Sequence, residues 1–222
     1  MKINLYLQNQ ANLLIHNILY PYAIEYLTSS HIDQAFSEFT SCCSFPKNIN
    51  LKNLWHNGFI PWLLFRWNWS GGKPFALHYL EDLSLTLSAA QRYILIQMYK
   101  SHYSFYKITR INMSSEYCVI EDLLLDNQVI LKGLFIPELG FEDGDIIFAH
   151  ITKLEIFEEE AIIASIMPST LDESFVLNIT NLRQKLIEQE KAAGKEFDHN
   201  TLRFSIYEKL LRKIYFSYLG LS

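Results

Sequence analysis

The chain has 222 residues, half of them hydrophobic and 14% aromatic, with only 8 glycines and 6 prolines. This composition excludes a disordered or low-complexity protein and suits one large domain or two small ones with a substantial core. The net charge of −5 is concentrated in residues 101–170, where 12 acidic residues stand against 4 basic ones, the opposite of what a phosphate-binding surface needs.

The first forty residues show a helical period. From about residue 10, apolar side chains recur every three or four positions, Pro21 interrupts the pattern, and Ser30 precedes a second helix start near His31. Phe45–Pro46 is predicted to end this element. One stripe of the helices is expected to face the core: Leu13, Leu14, Asn17, Ile18, Tyr22, Ile24, Leu27, Ile32, Phe36 and Phe39.

Residues 54–69, LWHNGFIPWLLFRWNW, are too apolar for a surface loop and predict a buried helix entered at Pro61, since proline suits a first turn. The tryptophans of this segment could form a protein-binding hot spot, but the pattern favours core packing. They are Trp55, Trp62, Trp67 and Trp69. Residues 75–99 predict a further helix, and Ser88 with Gln91 predicts a capping box inside it.

After about residue 103 the period becomes that of strands. Aromatic and β-branched runs are separated by turns at Asn112–Ser115 and Asp126–Asn127, with breaks near Lys153 and at Glu158–Glu160. Five or six short strands in about 65 residues predict a small antiparallel barrel of the SH3 or OB kind, closed or half-open, because closure removes exposed strand edges. No internal repeat is predicted in the chain.

From residue 171 the helical period returns. Gly194 ends a first helix, although residues 174–179 (SFVLNI) fit a last strand equally well, and a second helix runs from Leu202 to Leu219. The chain is therefore predicted to be α+β. Its parts are a helical region over residues 1–102, a small β-barrel over 103–170 and C-terminal helices over 171–222 that pack on the core.

The acidic stretch FEDGDIIFAHI, residues 141–151, is interpreted as the corner of this barrel. Gly144 supplies the positive φ angle of a tight strand entry. Ile146, Phe148 and Ile151 are expected to face the barrel interior, and His150 to lie on a face of the barrel.

The carboxylates near this corner predict a polar rim. They form a possible interaction surface made of Asp143, Asp145, Glu158, Glu159 and Glu160. A surface of this charge favours a basic protein partner.

The sequence matches no motif for a metal site, a phosphate-binding loop or a catalytic nucleophile. The three cysteines, Cys42, Cys43 and Cys118, lack zinc-site spacing and predict reduced thiols. A calcium loop starting at Asp143 would put Leu154 at its last ligand position. Gly72-Lys73-Pro74 is not a phosphate loop. We predict no catalytic residue, no metal ion and no cofactor.

Two stretches carry a family resemblance: residues 59–108, and residues 119–133 together with 141–151. The matching residues are Trp62, Phe65, Tyr103, Phe105, Tyr106, Asp122, Leu123, Leu124, Gly144 and Asp145. The chain resembles the N-terminal region of uncharacterised bacterial proteins with a SEC-C motif. That motif is a Cys/His zinc knuckle, and because no cysteine follows Cys118, the zinc-mediated partner contact does not carry over.

Three functions are compatible with these features. The favoured one is a non-catalytic protein-interaction module of the bacterial cytoplasm, because neither a signal peptide nor a transmembrane run is predicted. The second is a nucleic-acid-associated barrel, with Tyr103, Tyr106 and Tyr117 stacking on bases, which the acidic charge of residues 101–170 opposes. The third is a hydrolase with a carboxylate site. Oligomeric state and membrane binding are not indicated.

Overall fold

The computed structural model describes residues 3–40, 51–69, 72–114, 116–132, 140–154, 161–171, 173–202 and 205–219. It is α+β, as predicted, with helices on either side of a five-stranded sheet in the chain. The predicted helix end at Phe45–Pro46, the thiols Cys42 and Cys43 and the carboxylates Glu158–Glu160 lie outside the described residues.

The N-terminal helices are α1 (Ile3–Leu13), α2 (Tyr20–Tyr26) and α3 (Ser29–Thr40). Their buried face differs in part from the predicted stripe: Leu13, Asn17 and Ile24 are exposed. Between α1 and α2 the chain widens into a π-helical turn, Leu14–Leu19, which rotates the positions that follow it relative to a regular 3.6-residue period. The stripe counted at constant period is wrong at all three positions; the turn accounts for Asn17, which lies within it, and for Ile24, which follows it, but not for Leu13, which precedes it.

A second π-helical turn, Leu54–Phe59, lies between α4 (Leu51–Asn53) and α5 (Ile60–Phe65). Both turns have the sequence pattern L-x-H-N-x-x-x-P, which is a short internal repeat that the prediction missed. Proline has no N–H for the carbonyl four residues earlier, so Pro21 and Pro61 leave those carbonyls without their helical donor. The carbonyl oxygen of Asn57 instead accepts a 2.5 Å hydrogen bond from the Ser165 hydroxyl.

The remaining helices before the sheet are α6 (Phe75–Asp82), a 3₁₀ turn (Ser84–Thr86) and α7 (Ala89–Lys100). The capping box of Ser88 and Gln91 is confirmed, with both reciprocal hydrogen bonds formed at the start of α7. The core role of the tryptophan cluster is also confirmed, because Trp62 and Trp67 are buried and Trp55 and Trp69 pack against the core.

The sheet contains β1 (His102–Asn112), β2 (Tyr117–Asp122), β3 (Asn127–Lys132), β4 (Ile146–Lys153) and β5 (Ala161–Leu171). All neighbours are antiparallel, in the order β3-β2-β1-β4-β5. The first half of β1 pairs with β4 and its second half with β2, with a bulge between Ile108 and Arg110. The sheet curls into a half-barrel that brings β3 and β5 within 8 Å.

The two faces of the half-barrel bury different side chains. Its helix-facing side holds Phe105, Ile146 and Phe148, which belong to the large core shared with the helices. Its inner side holds a separate cluster contributed by all five strands, including Ile147 and Ile151. The prediction was therefore right for Ile151 but wrong for Ile146 and Phe148, because positions an odd number of residues apart in a strand point to opposite faces.

The free edge of strand β5 is covered by the side chain of Gln8. Strand β5 pairs with β4 on one side, and on its other side the amide of Gln8 from α1 hydrogen-bonds to both main-chain groups of Ile163, at 2.8 Å each. Gln8 thus acts as a one-residue extension of the sheet and protects the edge from further pairing.

Three helices follow the sheet: α8 (Glu173–Ala192), α9 (His199–Leu202) and α10 (Ser205–Leu219). Residues 174–179 are helical, which decides against the alternative of a last strand, and Gly194 follows α8 with a φ of 71°. Arg212 of α10 is buried 3.1 Å from Glu208 and stacks on the Trp62 ring, 4.5 Å from its centroid. The contact of Arg212 with Trp62 thereby fixes helix α10 to helix α5.

Among the residues that the structure describes, no helix is both long and apolar enough to cross a lipid bilayer.

Candidate functional site

The half-barrel opens at one end into a cavity of about 600 Å³. The ends of β2 and β4 and the starts of β1 and β3 meet there, because the strands are antiparallel, and α7 reaches the same point with its last residues. We call this cavity the mouth pocket. Its volume falls in the range typical of pockets for small organic molecules, about 300–1,000 Å³.

The floor of the mouth pocket is apolar. Tyr106, Val129 and Ile151 belong to the inner cluster of the half-barrel and face the pocket from β1, β3 and β4, while Leu125 and Phe197 contribute to its sides. Burial raises the pKa of the Tyr106 hydroxyl well above its ordinary value, and the nearby Asp122 carboxylate raises it further. Tyr106 is thus a neutral phenol at physiological pH, and the floor carries no charge.

Asp122, at the end of β2, is a buried carboxylate fixed by protein donors. Its Oδ1 atom accepts hydrogen bonds from the Ser104 hydroxyl at 2.6 Å and from the main-chain N–H groups of Leu124 and Leu125 at 2.9 and 3.1 Å. An aspartate that accepts from the following main-chain amides stabilises a tight turn, here the turn between β2 and β3. Oδ1 is therefore fully occupied, whereas Oδ2 faces His102.

His102, the first residue of β1, lines the mouth pocket beside this carboxylate. It is 8% exposed, and its Nε2 atom lies 3.6 Å from Asp122 Oδ2, which is too far for a hydrogen bond. Within the described parts of the chain, Nε2 has no hydrogen-bond partner. A buried polar atom without a partner costs about 1–3 kcal/mol, so a ligand group that bonds to Nε2 regains that energy.

Two lysines stand at the rim of the mouth pocket. Lys100 ends α7 and Lys153 ends β4, and both are exposed. Neither forms an ion pair with a residue that the structure describes. Asp198, which also lines the pocket, accepts hydrogen bonds from the N–H and the hydroxyl of Thr201 at 3.0 and 3.2 Å.

A polar network joins the pocket wall to the helices. The Arg66 guanidinium donates to the carbonyls of Tyr99 and Ser101 and lies 3.3 Å from His150 Nε2. The Ser101 hydroxyl contacts the same Nε2 atom, as well as Met98 O at 3.0 Å and Thr152 Oγ1 at 2.7 Å. The network therefore connects α5 and α7 to β4.

Ser101 beside His150 has the residue types of a nucleophile and its base, but the environment opposes that chemistry. Burial, the Arg66 guanidinium and then His102 hold the pKa of His150 well below its usual value. An imidazole in such surroundings is a poor proton acceptor. Its Nδ1 atom also lacks a partner in the described residues, so no orienting group fixes the ring from behind. We assign Ser101 and His150 a structural role.

The carboxylates predicted as an interaction surface lie away from this pocket. Asp143 Oδ1 accepts from Ile111 N at 2.7 Å, and Asp145 Oδ2 accepts from Glu142 N at 2.7 Å. Between them, Gly144 has a φ of 97°, which confirms the predicted positive-φ turn. Glu158, Glu159 and Glu160 lie outside the described residues.

The proposed stacking platform for bases is corrected by the structure. Tyr103 and Tyr106 are 0% and 2% exposed, because β1 is covered on both faces, by helices on one side and by the inner cluster on the other. Only Tyr117, the first residue of β2, is partly exposed. Two of the three rings cannot reach a base.

The sequence analysis missed the mouth pocket. His102, Ser104 and Asp122 are polar residues in strands that are otherwise apolar, and buried polar residues in such positions are a usable signal. Asp122 was noted within the family resemblance but not as a site residue, and His102 was not predicted as a site residue either. Their proximity depends on the pairing of β1 with β2, which sequence spacing does not reveal.

Comparison with known proteins finds no match: no family model, no curated protein and no solved structure corresponds to this chain.

Proposed function

We propose that this protein binds a small organic ligand in the mouth pocket. The observation that carries the proposal is the Nε2 atom of His102, a buried polar atom without a hydrogen-bond partner in the described residues and 3.6 Å from Asp122 Oδ2, in the wall of a cavity of about 600 Å³. Ligand pockets typically combine an apolar lining with a few well-placed polar groups. The floor of Tyr106, Val129 and Ile151 supplies the first, and His102 supplies the second.

Binding is favoured over hydrolysis by the state of the polar groups. The hydroxyl of Ser101, which lines the pocket, is engaged with Met98 O and Thr152 Oγ1, and the base beside it is held neutral. The carboxylate of Asp122 accepts three hydrogen bonds from the protein through one oxygen. These groups are arranged to hold the pocket in shape.

We further infer that the half-barrel is of the OB kind. Five antiparallel strands, a β1 strand shared between both halves of the sheet, and the approach of β3 to β5 support a partly open five-stranded barrel. The SEC-C resemblance and the acidic interaction surface for a basic partner stay predictions. Asp143 and Asp145 direct their carboxylates to main-chain amides, which gives that surface no added support.

The test is a fragment screen by ligand-observed NMR on the wild-type protein and on Leu125→Trp, whose indole would fill the side of the pocket. Leu177→Trp, at a position 65% exposed on α8, is the matched control. We expect fragments that bind the wild type and Leu177→Trp and are lost in Leu125→Trp. If every fragment binds all three proteins alike, the mouth pocket is not the binding site and the proposal fails.

A further inference from the structure

We infer that the mouth pocket selects small organic anions, that is, a carboxylate or a phosphate group attached to an apolar body. This inference rests on the proposed function and narrows it to one ligand class. It depends on which charges at the pocket are already engaged by the protein and which are not.

The negative groups of the pocket are engaged in part: one oxygen of each carboxylate accepts hydrogen bonds from the protein, and Asp122 Oδ2 lies 3.6 Å from His102 Nε2. Asp122 Oδ1 accepts three hydrogen bonds, and Asp198 Oδ1 accepts two from Thr201. The carbonyls at the C-terminal end of α7, where the helix dipole is negative, are also covered, because Arg66 donates to the carbonyls of Tyr99 and Ser101. The protein itself thus uses Oδ1 of both carboxylates and these two carbonyls.

The positive groups are differently placed. Lys100 and Lys153 extend from the ends of α7 and β4 and pair with no carboxylate in the described part of the chain. His102 adds a third donor from the start of β1 when its Nε2 carries a proton. Three donors from three different elements thus surround one opening, and cationic donors form the stronger, charge-assisted hydrogen bonds with carboxylates and phosphates.

The apolar floor of the pocket requires that the ligand also carry an apolar group. Tyr106, Val129 and Ile151 offer no hydrogen bond to a bare inorganic ion, but they gain free energy by covering a hydrocarbon or aromatic group. Residues 101–170 carry a net charge of −8 in the sequence, which does not favour long-range attraction of anions, so selection must come from these short contacts. A free phosphate ion is therefore expected to bind poorly.

The experiment measures the affinities of benzoate, phenyl phosphate, benzamide and inorganic phosphate by NMR titration of the full chain. Benzamide keeps the ring and shape of benzoate without its charge. We expect benzoate or phenyl phosphate to bind at least about tenfold more tightly than benzamide, as charge-assisted hydrogen bonds imply. The tighter of the two anions identifies the ligand as carboxylate- or phosphate-bearing.

Variants locate the effect. The double substitution Lys100→Gln with Lys153→Gln should lower the affinity for the preferred anion about tenfold and leave benzamide unchanged. Lys209→Gln with Lys213→Gln, two exposed lysines on α10, removes the same charge elsewhere and should change nothing. Because all four lysines are at exposed or rim positions, the variants are expected to fold, and their thermal unfolding is checked beside the wild type.

The outcomes separate the two proposals. Anion selection would be overturned, and ligand binding left standing, if neither benzoate nor phenyl phosphate bound more tightly than benzamide, or if both lysine double variants lost the same affinity. Inorganic phosphate binding as tightly as phenyl phosphate would overturn the requirement for an apolar body. If none of the aromatic probes binds while the fragment screen gives pocket-dependent hits, anion selection alone fails; if that screen is also negative, both proposals fail.

Discussion

The two faces of the five-stranded sheet are built from different side chains, and the difference explains where the cavity lies. The helix-facing side carries aromatic rings packed at close range: the Phe148 ring lies 4.7 Å from that of Phe105 and 5.2 Å from that of Tyr215, centroid to centroid. The inner side carries mostly smaller aliphatic groups, such as Ile147 and Ala149. Large rings fill the helix interface, whereas the small side chains leave one end of the half-barrel open.

Removing a ring from the helix-facing side is expected to have the largest effect. Phe148→Ala deletes a fully buried ring that contacts rings on β1 and α10, so the free energy of unfolding should fall by about 3–5 kcal/mol. Urea unfolding followed by circular dichroism measures it. A loss below about 1 kcal/mol would show that the aromatic interface is not well packed.

Alanine substitutions on the inner side of the sheet should lower the free energy of unfolding by different amounts along strand β4. Ile147 is fully buried in the closed part, and its replacement by alanine should cost about 3 kcal/mol. Ile151 borders the mouth pocket, so Ile151→Ala enlarges an existing opening instead of making a new void, and we expect a loss of about 1–2 kcal/mol. Equal losses in the two variants would contradict an open end at Ile151.

The carboxylate that supports the pocket wall should matter somewhat less. Asp122→Ala leaves the Ser104 hydroxyl and the N–H groups of Leu124 and Leu125 without their acceptor, which should cost about 2 kcal/mol in urea unfolding. Asp122→Asn keeps an oxygen acceptor in the same place and should lose less than half as much. If asparagine were as damaging as alanine, the negative charge and not the hydrogen bonding would be the stabilising feature.

The smallest predicted effect is a loss of stability at acidic pH. The pKa of His150 is held well below its ordinary value of 6.5 in the folded protein, so below pH 6.5 the unfolded chain binds a proton that the folded one does not. Stability should therefore fall as the pH drops from 7.5 to 5.5, by on the order of 1 kcal/mol from this group. His150→Gln should show a smaller acid loss than the wild type. Parallel pH profiles would rule out this histidine as the source.

Much of the fold was predictable from local pattern. The change of period near residue 103, the capping box of Ser88 and the turn at Gly144 each depend on residues close in sequence, and the structure has them. The assignment of Phe148 to the wrong face has a physical cause. Strand β4 is buried on both sides over Ile146–Thr152, so its sequence shows no alternation from which a face could be read.

The π-helical turns and the pocket illustrate what local pattern does not contain. The prolines after His16 and His56 were visible, but a constant helical period cannot represent a turn of different width. The mouth pocket needs the end of α7, the ends of four strands and the segment at Phe197 to meet, and only the tertiary structure brings these together. Sequence reasoning consequently favoured the acidic corner over the site that the structure presents.

The central claim is that His102 stands in the wall of a ligand pocket, and its imidazole reports this directly. A fragment from the screen is titrated into protein with ¹³C-labelled histidine rings, and the resonances of His102 are compared with those of His31 on α3, which does not line the pocket. We predict saturable shifts of the His102 ring and none of the His31 ring. A fragment that binds at saturation without moving the His102 ring would contradict the account.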